Sequence, residues 1–191
     1  MTVSVRPADE ASWDDLQLVF GTRGDPANCQ CQWFKARDVW AIPKPERVDR
    51  LRSQTHGSGT TSGLLAYLDG EPAGWCAVEP RTAYERLLRA RVPWAGRKDE
   101  DKADPDVWAV TCFVTRAGYR RRGVSAALAR AAVDHARSHG ARAVEGYPIR
   151  LEPGQTGGGE LFVGTHSVFA AAGFTEVSRP TPRRVVMRLD L

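Results

Sequence analysis

Val114-Thr-Arg-Ala-Gly-Tyr-Arg-Arg-Arg-Gly-Val-Ser-Ala-Ala-Leu128 places four arginines and two glycines between an apolar strand pattern and an amphipathic helix pattern. Like charges repel and glycine costs backbone entropy, so the crowding predicts an anion at the turn. From Gly118 to Ser125 the spacing is G-x-x-x-x-G-V-S, one residue short of the nucleotide-binding G-x-x-x-x-G-K-[ST]. Without a lysine at 124, nothing supplies the point charge that reaches the β- and γ-phosphates, and an NTPase is disfavoured. What remains is a glycine-permitted turn whose amides open a helix, with guanidinium groups alongside. That arrangement suits a pyrophosphate held without metal.

Working outward, Val107 to Thr115 is apolar on both faces and predicts a central strand covered on both sides. Ser125 to His139 predicts a helix with Val124, Leu128, Ala131, Ala132 and His135 on one face and Arg130, Asp134 and Arg137 on the other, ended by Gly140. Upstream, Val3 to Arg6 reads as a strand, Ala11 to Phe20 as a helix, Gly21 to Pro26 as a turn and Pro45 to Gln54 as a helix. Leu64–Leu68 and Ala73–Val78 flank Asp69-Gly70, a hairpin signal. Tyr84 to Arg91 predicts a short helix, and the charged run 97–104 a solvated loop. Downstream come a strand over Ala143–Pro148, a glycine-rich loop, a helix over Ser167–Ala172 closed by Gly173-Phe174, and strands near 175–178 and 185–189. The pattern is α/β, with a mixed sheet flanked by helices.

Composition narrows the function. With 191 residues, 42% hydrophobic and 26% charged, the chain matches globular averages, and one core over residues 1–191 is the expected domain organisation. A net charge of +4 would permit nucleic-acid binding, but acids and bases are interspersed outside the arginine run, and no basic helix or known motif accompanies it. No nucleic-acid partner is expected. No basic-then-apolar leader opens the chain and no apolar run approaches the ~18 residues of a membrane span, which predicts a cytoplasmic protein without membrane contact. Of the four cysteines, Cys76 and Cys112 fall in apolar strands. Cys29-Gln-Cys31 lacks the spacing and the second pair of a zinc site, so no metal is expected.

Read as R-x-x-G-x-S, Arg120 to Ser125 resembles the R/Q-x-x-G-x-G/A signature of the GNAT superfamily of N-acetyltransferases, with Ser125 replacing the usual glycine or alanine. The order of elements is similar too: hairpin, central strand, phosphate turn, amphipathic helix, strand, and a helix ending in Ala-Gly-Phe. Gly74-Trp-Cys-Ala-Val-Glu-Pro-Arg81, Arg121-Arg-Gly-Val-Ser125, Glu145-Gly-Tyr-Pro148 and a Cys-x-Cys beside an aromatic pair resemble a bacterial subgroup of that superfamily.

The resemblance implies a single-domain GNAT fold that transfers acetyl from acetyl-CoA to an amine, with a homodimer among the assemblies it admits. Arg120, Arg121, Arg122, Gly123, Val124, Ser125 and Ala126 would hold the pyrophosphate. Cys112, Phe113 and Val114 would line the thioester, where a backbone N–H of their strand would polarise the carbonyl. Phe169 stands where the family often has a tyrosine. It can pack on the cofactor but cannot donate a proton.

Transfer to an amine also needs a base and an acid. Glu79 is the first candidate base, Tyr147 the candidate acid, and His166, at a helix start, a second candidate base. Cys29, Cys31, Trp33, Phe34 and Trp40 cluster after a Gly/Pro turn and suit a small, partly apolar amine, with Glu145, also the alternative to Glu79 as base, a further acceptor-site acid. The acceptor is therefore expected to be the primary amine of a small molecule. A protein acceptor (a lysine or an N-terminus) and a non-catalytic acyl-CoA-binding module stay open at this level.

Overall fold

The computed structural model describes residues 1–152 and 158–191, in which the strands form one mixed seven-stranded sheet of order β1-β2-β3-β4-β5-β7-β6. The strands are β1 (Val3–Pro7), β2 (Gly63–Leu68), β3 (Glu71–Pro80), β4 (Val107–Thr115), β5 (Ala143–Gly146), β6 (Thr175–Ser178) and β7 (Val186–Asp190). The helices are α1 (Trp13–Phe20), α2 (Gly24–Cys29), α3 (Lys44–His56), α4 (Glu85–Arg89), α5 (Val124–Ser138) and α6 (His166–Ala170). Every ladder is antiparallel except β4 with β5. Asp69 and Gly70 both adopt positive φ, 51° and 88°, as the tight β2–β3 hairpin requires.

Two apolar layers cover the sheet. On one face α5 packs Leu128, Ala129, Ala132 and Ala136 on Leu64, Cys76, Val78 and Val110. On the other, Leu16 and Phe20 of α1 and Leu51 of α3 pack with Leu65, Trp75, Ala77 and Val114. The start of α5 sits hard on the sheet at Gly74, where a Cβ would lie 2.5 Å from Val124 Cγ1. This close seat explains why an apolar residue, and not a lysine, occupies 124.

Two irregularities shape β4. Its register with β3 passes from Val78–Val110 to Ala77–Cys112, which leaves Thr111 as an extra, bulged residue. Its parallel ladder with β5 covers only Val107–Val110 against Ala143–Gly146. Beyond Gly146 the chain turns to other partners, with the Ile149 amide donating to Gly164 O (3.0 Å) and the Arg150 amide to Arg183 O (2.8 Å). The second half of β4 therefore has an edge free of β5.

Two segments differ from the sequence expectation. Gly24 to Cys29 is a short helix where a turn was expected; Pro26 falls in its first turn, where a missing N–H costs nothing. The charged run 97–104 is not simply solvated, because Arg97 and Glu100 turn inward. Glu145, fully buried on β5, faces Arg81 (3.4 Å), Arg188 (3.1 Å) and Arg97, and accepts from Tyr147 Oη (2.9 Å). Glu100 bridges Arg81 (2.8 Å) and Arg188 (3.3 Å), and the rim of Trp94 is stacked by Arg81, Arg97 and Lys102 at 5.0 to 5.3 Å. Four separate segments are clamped by this network. Because a buried charge without its counter-charge is costly, Glu145→Gln should lower stability by about 3 kcal/mol in urea unfolding. Undiminished stability would mean that the network does not hold these segments together.

A second buried group responds to pH. Burial pushes His135 down to about 4, with His139 acting in the same direction and Asp9 opposing it, and its Nε2 has no hydrogen-bond partner beside Trp108. Below the ordinary value of 6.5 the unfolded chain binds the proton more readily than the folded one, so stability contributed by neutral His135 is lost as pH falls from 6.5 towards 4. Melting at pH 7 and pH 5 should show a smaller drop for His135→Leu than for the parent. An equal drop would place the acid sensitivity elsewhere.

Candidate functional site

The free edge of β4 opens into a cleft of about 1710 Å³ that runs from the arginine-glycine turn to an aromatic end. At the first end, Gly123 is the N-cap of α5 in the left-handed region (φ 80°), and Arg121 also has positive φ, 60°. The opening amides of an α-helix have no intrahelical acceptor. Here those of Val124, Ser125 and Ala126 are free of any acidic residue in the first turn. Gly123, Val124, Ser125, Ala126, Arg120 and Arg121 all line the cleft. Arg120, Arg121 and Arg122 are exposed and make no ion pair among the described residues, although Arg122 does not line the cleft. Arg116 is different: its Nη1 donates to Pro72 O at 3.1 Å and its guanidinium lies over Tyr119, so it braces the turn. The donors present fit a diphosphate, and the free edge of β4 fits the extended arm of an acyl thioester.

Along the middle of the cleft lie Cys112, Phe113 and Val114 of β4. Facing them, Cys31 is held in a left-handed conformation (φ 57°) after a left-handed Gln30 (φ 50°). A glutamine network keeps this turn in place: Gln30 Nε2 donates to Ala27 O and Gln32 Nε2 to Gln30 O, each at 3.1 Å. Cys31 Sγ accepts from Trp75 Nε1 at 3.3 Å. Interaction with Cys112, and the indole N–H, pull the Cys31 thiol below its ordinary value despite burial, while interaction with Cys31 and burial push Cys112 up. Burial pushes Cys29 up to about 11. No group of three or more His, Cys, Asp or Glu side chains is placed to hold a metal among the described residues.

The other end is aromatic. Trp33 packs against Trp40 (6.4 Å) and Phe162 (6.5 Å), Phe34 packs against Phe162 (6.1 Å), and Trp40 is 56% exposed at the mouth. Phe162 lies in the turn 159–163, a contributor that carries no signal in the sequence. The glycine-rich loop that follows Pro148 in the sequence falls largely on residues 153–157, outside the described residues.

The structure separates the three catalytic candidates. Tyr147 lines the cleft, and burial, then the charge of Glu145, holds its phenol proton well above the ordinary range. Glu79 lies behind the wall, ion-paired with Lys35; burial raises its carboxyl pKa and Lys35 opposes the rise. His166 opens α6 outside the cleft, 4.0 Å from Glu176. Of the acceptor-site candidates, Cys29, Trp33 and Trp40 line the cleft, whereas Glu145 is committed to its arginines below the surface. Phe169 is fully buried between Phe113 (5.8 Å) and Phe174 (5.1 Å). Its ring fills the space over Gly146, where a Cβ would come within 2.1 Å of it. Phe169 thus shapes the sheet where the strands part, without lining the cleft.

Comparison with known proteins agrees with this geometry. Residues 28–147 match the model of the acetyltransferase (GNAT) family. Among solved structures, a GCN5-related N-acetyltransferase from Kribbella flavida superposes with a TM-score of 0.57 at 16% identity, covering 99% of this chain and 98% of the other. The PaiA N-acetyltransferase from Thermoplasma acidophilum, solved with coenzyme A, gives 0.52 at 13% identity, with 100% of both chains covered. A ribosomal-protein-alanine N-acetyltransferase from Brucella melitensis gives 0.55 at 12%, covering 98% and 99%. No curated protein is significantly similar to the chain in sequence. No helix among the described residues is long and apolar enough to cross a membrane. With its family signature spanning the strand, the turn and the helix that build the cleft, the chain belongs to the GNAT family of acetyltransferases, enzymes whose acyl donor is acetyl-CoA.

Proposed function

We propose that this acetyltransferase acts on the primary amine of a small molecule. The observation that carries the reading is the continuity of one cleft, from the phosphate turn along the free edge of β4 to the aromatic walls of Trp33, Phe34, Trp40 and Phe162. Flat aromatic faces suit a compact, partly apolar acceptor. A protein acceptor shares the fold, as the Brucella enzyme's name indicates, but the enclosing aromatic end favours a small molecule here.

On this reading the amides of Val124, Ser125 and Ala126, with Arg120 and Arg121, hold the diphosphate of the donor, and Arg122 adds charge from outside the cleft. Acetyl-CoA supplies the thioester. The residues around the Thr111 bulge, Cys112, Phe113 and Val114, line it, and a β4 amide on the free edge is positioned to stabilise charge on the carbonyl oxygen. The acceptor amine, neutral after losing its proton to solvent at the open mouth, attacks the carbonyl carbon. The C–S bond breaks, the departing thiolate takes a proton, and the nitrogen, now part of the amide, sheds its surplus proton to water, which restores the proton donor.

Tyr147 is the proton donor in this scheme. Burial and Glu145 keep its hydroxyl protonated at neutral pH. At rest the hydroxyl donates to Glu145, so turning it towards a thiolate gives up a hydrogen bond to a charged group, about 1.5–3 kcal/mol, which the negative charge forming on sulfur offsets. Glu79 and His166 do not line the cleft, so this scheme gives neither a role. With acetyl-CoA and a panel of small amines, Tyr147→Phe should lower kcat by about 100-fold while leaving acetyl-CoA affinity by calorimetry unchanged. A kcat equal to that of the parent would remove Tyr147 from the chemistry.

A further inference from the structure

Among the described residues six arginines line the cleft, Arg23, Arg86, Arg116, Arg120, Arg121 and Arg184, against two carboxylates, Asp25 and Glu160. Glu160 is shared by Arg183 and Arg184 (3.1 Å to the latter), so it offers little to a cationic ligand. Arg116 is spent on bracing the turn, Arg120 and Arg121 belong to the phosphate end, and Arg23 is exposed at the rim. Arg86 alone among the six is at the aromatic end with no carboxylate paired to it among the described residues.

Its setting is built. The Arg86 guanidinium lies 3.7 Å from the centroid of the Trp33 ring, and its backbone N–H donates to Phe34 O at 3.0 Å. The side chain is half-buried, and no carboxylate pairs with it among the described residues. Neighbouring cations are compensated: Lys35 by Glu79, Arg89 by Glu85 and Arg97 by Glu145. A guanidinium seated over an indole has already lost much of its rotamer freedom, and its planar fork of N–H groups can meet two oxygens at once. A carboxylate matches that fork; an ammonium is repelled by it.

We infer that the acceptor is an amino carboxylate, with its carboxylate received by Arg86 and its apolar body laid on Trp33, Phe34 and Phe162. This rests on the acetyl-transfer reading of the cleft and narrows it. Leu87, the next residue of α4, packs in the same cluster as Tyr147 and Phe34, so the anion site and the proposed proton donor share one end of the cleft. That proximity favours an amine close to the carboxylate, as in an α-amino acid. A polycationic amine finds here an excess of arginine and one uncompensated acid, Asp25.

The test compares ligands that differ only in the anion. N-acetylphenylalanine and N-acetylleucine, the products of such a reaction, are titrated by calorimetry beside their carboxamides into the parent, Arg86→Gln and Arg86→Lys, with melting curves to show that each variant is folded. The parent should bind the acids at least about tenfold more tightly than the amides, the worth of a hydrogen bond to a charged group. Arg86→Gln should bring the ratio to about one, and Arg86→Lys, which keeps charge but not the fork, should fall between. Equal binding of acid and amide, no binding of either, a ratio that survives in Arg86→Gln, or tighter binding of spermidine than of the acids would each overturn the inference. A parallel titration of the parent with acetyl-CoA keeps the two readings apart. Donor binding with an acid-to-amide ratio of one sinks the amino carboxylate alone, whereas a high ratio without donor binding sinks acetyl transfer and leaves the anion site standing.

Discussion

Beyond Val110 and Gly146, two parallel strands that begin as a ladder part company, and the backbone groups on the free edge of β4 must find other partners. The parting follows from crowding. The Phe169 ring occupies the space where a side chain at 146 would stand, and after Gly146 the chain pairs with Gly164 and Arg183 instead of following β4. A gap lined by unpaired strand edge is a costly feature unless a ligand uses it. It accepts an extended arm, and the bulge at Thr111 offsets the pleat at the place where the arm would carry its thioester.

At the mouth of that gap, electrostatics takes over from packing. Gly74 lets Val124 seat on the sheet, which aims the start of α5 at the cleft, and left-handed Gly123 clears the approach to its first amides. Arginines 120 and 121 add charge that no acid in the described residues cancels. The buried carboxylate of Glu145, by contrast, is met by three guanidinium groups. The proposed ligand contacts rest on arginines without a carboxylate partner among the described residues, at the phosphate turn and again at Arg86.

The order of elements, the hairpin, the doubly covered central strand and the anion turn were legible in the sequence because each is local: apolar periodicity, Asp-Gly, and glycines around a basic run. The same holds for the aromatic cluster after residue 28. What was not legible depends on side chains that meet from distant segments. Glu145 reads as a free carboxylate until Arg81, Arg97 and Arg188 converge on it, and Glu79 reads as a base until Lys35 is found against it. Phe169 occupies a position the family often gives to tyrosine, yet its ring is consumed in filling the parting of the strands. Arg86 gives no signal in sequence, since only the fold lays it on Trp33.

The central claim is that the arginine-glycine turn holds the diphosphate of acetyl-CoA, and calorimetry of the parent beside Gly123→Asp tests it most directly. A side chain at 123 meets no atom within 4 Å, and aspartate is among the residues that best tolerate a φ of 80°, so the variant should fold while placing a negative charge where phosphate belongs. The account predicts saturable acetyl-CoA binding by the parent and none by a folded Gly123→Asp. Equal binding by both would put the donor elsewhere and contradict it.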